Sequence, residues 1–200
     1  MATSSGHTLK AFDEDLDRLR ALISEMGGLA EHAIGEAMRC LVQRDTDGAL
    51  RNQIYIMGKF ELADDEALVL DVHLGGAKYF IAPITNIWGT TNEIVRRTGS
   101  LNSAQSKPNG DGTYTFVVST PDPGIYNWID PDGMREGLMT LRWAEFDGGR
   151  PSPQLGVKSR IVKLAELPRA VPKDAFVTPD GRRSQLAERA ASYAWRLLDH

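Results

Sequence analysis

Cysteine is nearly missing from the chain: Cys40 is the one thiol in 200 residues. No disulfide can close within the chain, so packing alone has to hold the fold, and a reducing compartment suits it. Positive charge is not in surplus either. Against 27 Asp and Glu stand 23 Lys and Arg, a formal net charge of −4, which excludes the basic field that gathers nucleic-acid phosphates. No stretch approaches the roughly 18 apolar residues of a membrane span. The opening MATSSGHTLKAFDEDLDR also lacks the basic start and apolar run of a signal peptide, so a cytoplasmic protein is expected. Histidines are few, His7, His32, His73 and His200, and none stands at a metal-ligand spacing from another or from Cys40. G-x-S-x-G, P-loop, G-x-G-x-x-G and H-E-x-x-H strings are absent. The expectation is a chain with no metal, no cofactor and no catalytic residue legible in its motifs.

What is present changes rhythm once. Leu9, Phe12, Leu16, Leu19, Ile23 and Met26 recur every three or four residues between Asp, Glu, Lys and Arg, which predicts an amphipathic helix with a narrow seam. Ala30, Ala33, Ala37 and Leu41 continue the seam with small side chains that admit a partner helix, and Cys40 sits beside it as a small hydrophobe. Thr8 is a candidate N-cap, and Gly27-Gly28 costs the helix about 1 kcal/mol per glycine relative to alanine, a place for a kink. The pattern ends at Asp45-Thr46-Asp47-Gly48.

From Asn52 the period becomes extended. Ile54–Met57, Ala67–Val72, Ala77–Ile84, Thr113–Ser119, Leu138–Phe146 and Ser159–Leu164 read as strands, separated by Gly-, Pro- and Asp-rich turns. The 113–119 and 138–146 runs are read as partner strands on either side of a corner, and 90–110 as a loop packed across the sheet. Pro168 and Pro172 keep the next segment extended. Thr178-Pro179 then has helix-start chemistry, and Leu186, Ala190, Tyr193 and Leu197 recur at helical spacing. The fold class expected is α+β: an antiparallel β-sandwich-like domain between a long N-terminal amphipathic helix and a C-terminal helix.

Two resemblances attach to these blocks. HTLKAFDEDLDRLRALISEMGGLAEHAIGEAMRCLVQRD, within residues 1–51, resembles the first helix of the PhoU family of phosphate-signalling regulators. The family's acidic metal-binding motifs lie on later helices, so no ligand set carries over. FELADDEALVLDV, SLNSAQ, DGTYTFVVS, NWID and EGLMTLRW, within residues 52–167, resemble the DUF1214 family, uncharacterised bacterial proteins, which implies an antiparallel domain of sandwich type and supplies almost no chemistry. The two abut near Arg51 without a linker, and residues 168–200 form an extended segment and helix. The chain looks like a join of the two families; a natural fusion, an assembly error and an engineered joint all give that pattern.

Candidate site residues fall in three places. Asp71 and His73 share one face of a predicted strand, where a carboxylate can orient an imidazole or both can sit solvated. Asn127, Trp128, Asp130 and Asp132 lie on the corner, where Trp128 can floor a small-ligand pocket or plug the core. Arg142 alternates to the opposite face from Leu141 and Trp143, free to bind an anion or pair with a corner acid. Asp64, Asp65 and Glu66 lack the glycine-shaped loop of a calcium site and read as a solvated turn. The reading that follows is a non-catalytic binding or interaction module, with a possible small ligand at the corner and a possible homo-oligomer through residues 9–41. The alternative is a PhoU-like accessory regulator with a phosphate-transport or kinase partner. An enzyme with a pocket in the β domain is the weaker third.

Overall fold

The computed structural model describes Arg18 and residues 53–197, and the chain divides into two compact units, Met1–Arg51 and Asn52–His200. The seam expected over residues 9–41 lies outside the described residues except for Arg18, which is helical and exposed. His7, His32, Cys40 and His200 lie outside them as well.

The second unit is a sandwich of two four-stranded sheets. Its strands are β1 (Gln53–Glu61), β2 (Glu66–His73), β3 (Ala77–Thr85), β4 (Ser100–Asn102), β5 (Tyr114–Val118), β6 (Trp128–Ile129), β7 (Glu136–Phe146) and β8 (Gly156–Lys163). One sheet has the order β1-β7-β3-β4 and the other β6-β5-β2-β8. All pairs are antiparallel except the short contact of β5 with β6. After β8 come a single-turn helix α1 (Leu167–Ala170) and the C-terminal helix α2 (Pro179–Leu197).

Period-two alternation builds the inner core. Phe80, Ala82 and Ile84 of β3 and Met139, Leu141 and Trp143 of β7 point from the first sheet toward Leu70 and Val72 of β2 and Phe116 and Val118 of β5. At its centre Phe80 lies against Trp143 at 5.1 Å and against Phe116 at 5.5 Å between ring centroids, tilted contacts of the kind aromatic quadrupoles prefer. The Trp143 indole N–H donates to the carbonyl of His73 at 3.3 Å, which ties the two sheets together.

The second sheet is buried on its other face too, over part of its length. Ala67 and Val69 of β2 and Val117 of β5 face outward and pack beneath Ile125, Leu167 and Val171. The 164–177 segment is the lid of this second core. It is tied down by Leu164 N–H to the carbonyl of Asp65 at 2.8 Å and by a bridge between Ile125 and Phe176.

Two expectations are corrected. The strands read as partners, β5 and β7, belong to different sheets: β5 pairs β2 and β6, while β7 pairs β1 and β3. The 119–135 connection crosses the sandwich and leaves β6 behind on the way, so chain neighbours become opposite layers. Pro168, expected to keep its segment extended, stands instead in the first turn of α1, where its missing N–H costs no helical bond, and Pro83 lies inside β3 opposite Ser100. The 90–110 region holds β4 and a 3₁₀ turn at Ser103–Gln105 closed by a capping box with Asn102.

α2 begins as its sequence indicates, with the Thr178 hydroxyl accepting Gly181 N–H at 3.1 Å. Its docking face is less apolar than its spacing suggests. Among its described side chains the buried ones are Arg182, Gln185 and Arg189, while Leu186, Ala190 and Tyr193 are half-buried. Arg182 spans Asp122 at 2.9 Å and the carbonyls of Ile125 and Tyr126, and lies over the Trp128 ring; Arg189 donates to the carbonyl of Ile94 at 2.6 Å.

Gly137 is a position in the first sheet with no room for a side chain. A Cβ there would meet the Thr85 carbonyl oxygen at 2.6 Å and the Phe60 ring at 2.8 Å. Because a backbone atom cannot yield as a side chain does, Gly137→Ala is expected to destabilise the domain by about 1–3 kcal/mol, read as a lower urea midpoint with an unchanged m-value.

Candidate functional site

The register of β8, β2 and β5 sets Lys158, Asp71 and Thr115 side by side on the outer face of the second sheet. Val69, two residues before Asp71, is under the lid; Asp71 is beyond its edge and half-exposed. Where the lid stops, a cleft of about 740 Å³ opens between the sheet and residues 169–172. Its lining is partly apolar, with Leu155, Val157, Val171 and Pro172, and partly ionic, with Asp71, Asp111, His73, Lys158, Arg160 and Arg169.

Its polar wall is a connected network. Asn109 Nδ2 donates to the hydroxyls of Thr113 and Thr115 at 2.9 and 3.0 Å, and the Thr115 hydroxyl donates to Asp71 Oδ1 at 3.0 Å. Arg160 pairs with Asp71 Oδ2 and donates through its other terminal nitrogen to the carbonyl of Ala170 at 2.6 Å, which clamps the lid to the sheet. The Asp71 carboxylate is thus occupied on both oxygens. It does not orient His73, whose Nδ1 instead accepts Gly75 N–H at 3.0 Å. With Nδ1 so used, the neutral ring carries its proton on Nε2. Asp111 accepts from the Thr113 hydroxyl and N–H, and these bonds hold its carboxyl below the usual carboxylate range, with His73 adding to the effect.

The corner is built differently. Asn127, 4% exposed, accepts Lys107 N–H at 2.8 Å and donates to the carbonyls of Lys107 at 2.8 Å and Thr115 at 3.1 Å. Trp128 is buried, and its ring N–H donates to the Ser119 carbonyl at 2.9 Å. Asp130 and Asp132 share Arg97, at 2.8 and 3.1 Å. Asn127, Trp128 and Asp130 are therefore turned inward on the fold, Asp132 stays exposed beside Arg97, and Trp128 lies beneath Arg182 of α2. Arg142 is remote from these acids in the register: it lies on the outer face of the first sheet with Tyr55 and Tyr79 rings at 5.9 and 5.3 Å, a cation–π arrangement. Asp64, Asp65 and Glu66 form a turn engaged by Arg135 and Lys163; the backbone N–H of Ala63 and then Lys163 lower the Glu66 carboxyl, and Asp65 and Glu66 raise the Lys163 ammonium. Among the described residues no three His, Cys, Asp or Glu converge on a common point, and no helix is long and apolar enough to cross a membrane.

Sequence reasoning reached Asp71 and His73 but missed Lys158, Arg160 and Arg169. The signal in reach was the Lys158/Arg160 alternation of β8, which becomes informative only once β8 is known to lie beside β2.

No family model matches the chain. A short N-terminal segment is similar to curated phosphate-specific transport system accessory protein PhoU homologs. The similarity to that of Zymomonas mobilis is 52% identity over 46 residues, 23% of this chain and 19% of that protein. To that of Rhizobium meliloti it is 50% over 42 residues, 21% of this chain and 18% of that protein. The chain thus spans about a fifth of the length of the curated relatives it matches. Among solved structures, an uncharacterised protein from Burkholderia cenocepacia aligns with 57% of this chain and 31% of its own, at 31% identity and a TM-score of 0.51. The VPA0106 protein from Vibrio parahaemolyticus aligns with 56% of this chain and 31% of its own, at 14% identity and a TM-score of 0.45.

Removing the corner amide separates structure from binding. Asn127→Ala leaves the Lys107 N–H and two carbonyls without their partner, and is expected to lower stability by about 1–3 kcal/mol, measured by urea denaturation.

Proposed function

We propose that the β domain is a non-catalytic small-ligand-binding module of the DUF1214 type, with the cleft beside Asp71 as its site. The observation that carries this reading is the cleft itself: about 740 Å³, a size typical of small-molecule sites, mixing an apolar lining with a pre-formed polar wall. The corner around Asn127 and Trp128, the other candidate, has its polar groups consumed within the fold. Asp71 is held by Thr115 and Arg160 and so is poorly placed to serve as a general base, which favours binding over catalysis. The similarity to the uncharacterised Burkholderia cenocepacia protein supports a shared β domain and assigns it no activity.

A thermal-shift screen of small metabolites of mixed charge tests the reading. A ligand at about 100 times its Kd is expected to raise Tm by roughly 5 °C or more in the native chain. Filling the cleft with Ala170→Trp, or with Thr113→Trp from the sheet side, is expected to abolish the shift while circular dichroism stays unchanged. Equal shifts in the native chain and both filled variants, or no shift with any metabolite, contradict it.

A second reading rests on the N-terminal similarity: a PhoU-like accessory role in phosphate transport or its signalling, in the cytoplasm, with residues 9–41 engaging a transporter or kinase or a second copy of the chain. What supports it is the 52% identity over 46 residues. The full chain and one beginning at Asn52 discriminate: recovery of phosphate-transport components, or a larger mass by light scattering, is expected for the full chain alone. Identical behaviour of the two removes this role.

A further inference from the structure

We infer that the ligand of the cleft is an organic anion, a small apolar body bearing a carboxylate or phosphate group, received by Lys158 and Arg169; this rests on the cleft being the binding site. Three cations and two carboxylates line it, Lys158, Arg160 and Arg169 against Asp71 and Asp111. Their hydrogen-bonding capacity is unevenly committed. Asp71 is occupied by Thr115 and Arg160, Arg160 by Asp71 and the Ala170 carbonyl, and one Asp111 oxygen by Thr113 twice. The side chains of Lys158 and Arg169 make no ion pair or hydrogen bond with any described residue. His73 also lines the cleft, and with Nδ1 accepting from Gly75 its neutral ring carries a third donor at Nε2.

What the cleft offers an incoming molecule is therefore chiefly donors, two of them on cationic side chains. A donor-rich wall beside apolar side chains is complementary to a charged acceptor on a carbon frame, and it gives a neutral amide no charge-assisted bond. A cation meets the opposite situation: Asp71 is already paired with Arg160, and the second oxygen of Asp111 stands against Lys158 and Arg169. The volume exceeds what inorganic phosphate alone would fill, and the apolar part of the lining is what the organic portion would cover.

Isothermal titration of the full chain with three probes of similar size, phenylacetate, phenyl phosphate and phenylacetamide, tests this. Phenylacetate or phenyl phosphate, or both, are expected to bind with phenylacetamide at least tenfold weaker, and whichever anion is tighter identifies the head group. The double variant Lys158→Gln, Arg169→Gln is expected to weaken the anion about tenfold while Tm stays unchanged, and added salt should weaken it in the native chain but little in the variant. Binding of phenylacetamide as tight as the anions and lost in Ala170→Trp would overturn the anion inference while leaving the cleft as the site. Anion binding that survives Ala170→Trp and Thr113→Trp, or no binding of any probe at millimolar concentration, overturns both.

Discussion

One strand has to satisfy two interiors. β2 turns Leu70 and Val72 into the space between the sheets and Ala67 and Val69 outward beneath the lid, so for half its length it is apolar on both sides. A strand buried on both faces needs a cover as well as a partner sheet, and the chain provides it with Leu167 and Val171, delivered by the turn that follows β8. The position of the cleft follows from where that double burial ends. At Asp71 the outward series turns polar, the cover has nothing apolar left to sit on, and a hollow remains between lid and sheet.

The same strand explains what could be read from the letters. Ala67 to Val72 is too uniformly apolar to show which face is which, yet it marks a strand clearly, as do the alternating runs around Phe80 and Trp143. Helix α2 is likewise announced by Thr178-Pro179. Pairing was not legible: Tyr114–Val118 and Glu136–Phe146 are close in the chain and similar in pattern, and nothing local says that one crosses to the other layer. The corner illustrates a related blindness. Asn127 and Trp128 advertise themselves by residue type, but whether such groups face a ligand or the backbone depends on Lys107, Thr115 and Ser119, which are distant in sequence or unremarkable. Lys158, Arg160 and Arg169 were passed over for the converse reason, since charged residues on a final strand and a short helix are ordinary until the sheet order puts them beside Asp71.

The clamp made by Arg160 joins the two themes. Its guanidinium reaches from Asp71 on the sheet to the Ala170 carbonyl on the lid, so the group that neutralises the cleft's acid also fixes the height of its roof. Charge in the cleft and the shape of its mouth are therefore not independent, and a change at Asp71 acts on both. That coupling is a reason for the Asn109, Thr115, Asp71 and Arg160 network to be bonded before any ligand arrives, with Lys158 and Arg169 left open: a network that had to rearrange on binding would have to release the lid.

Helix α2 has a different kind of attachment. Among its described side chains the buried ones are guanidinium and amide groups set on the carbonyls of Ile94, Ile125 and Tyr126, with half-covered Leu186, Ala190 and Tyr193 beside them. Over its described side chains, residues 179–194, its departure would wet little greasy surface beyond the Trp128 ring under Arg182, a small heat-capacity increment beside the melting of the sandwich. The C-terminal helix is thus able to unhook as a subglobal opening of its own, with the aromatic centre around Trp143 still dry.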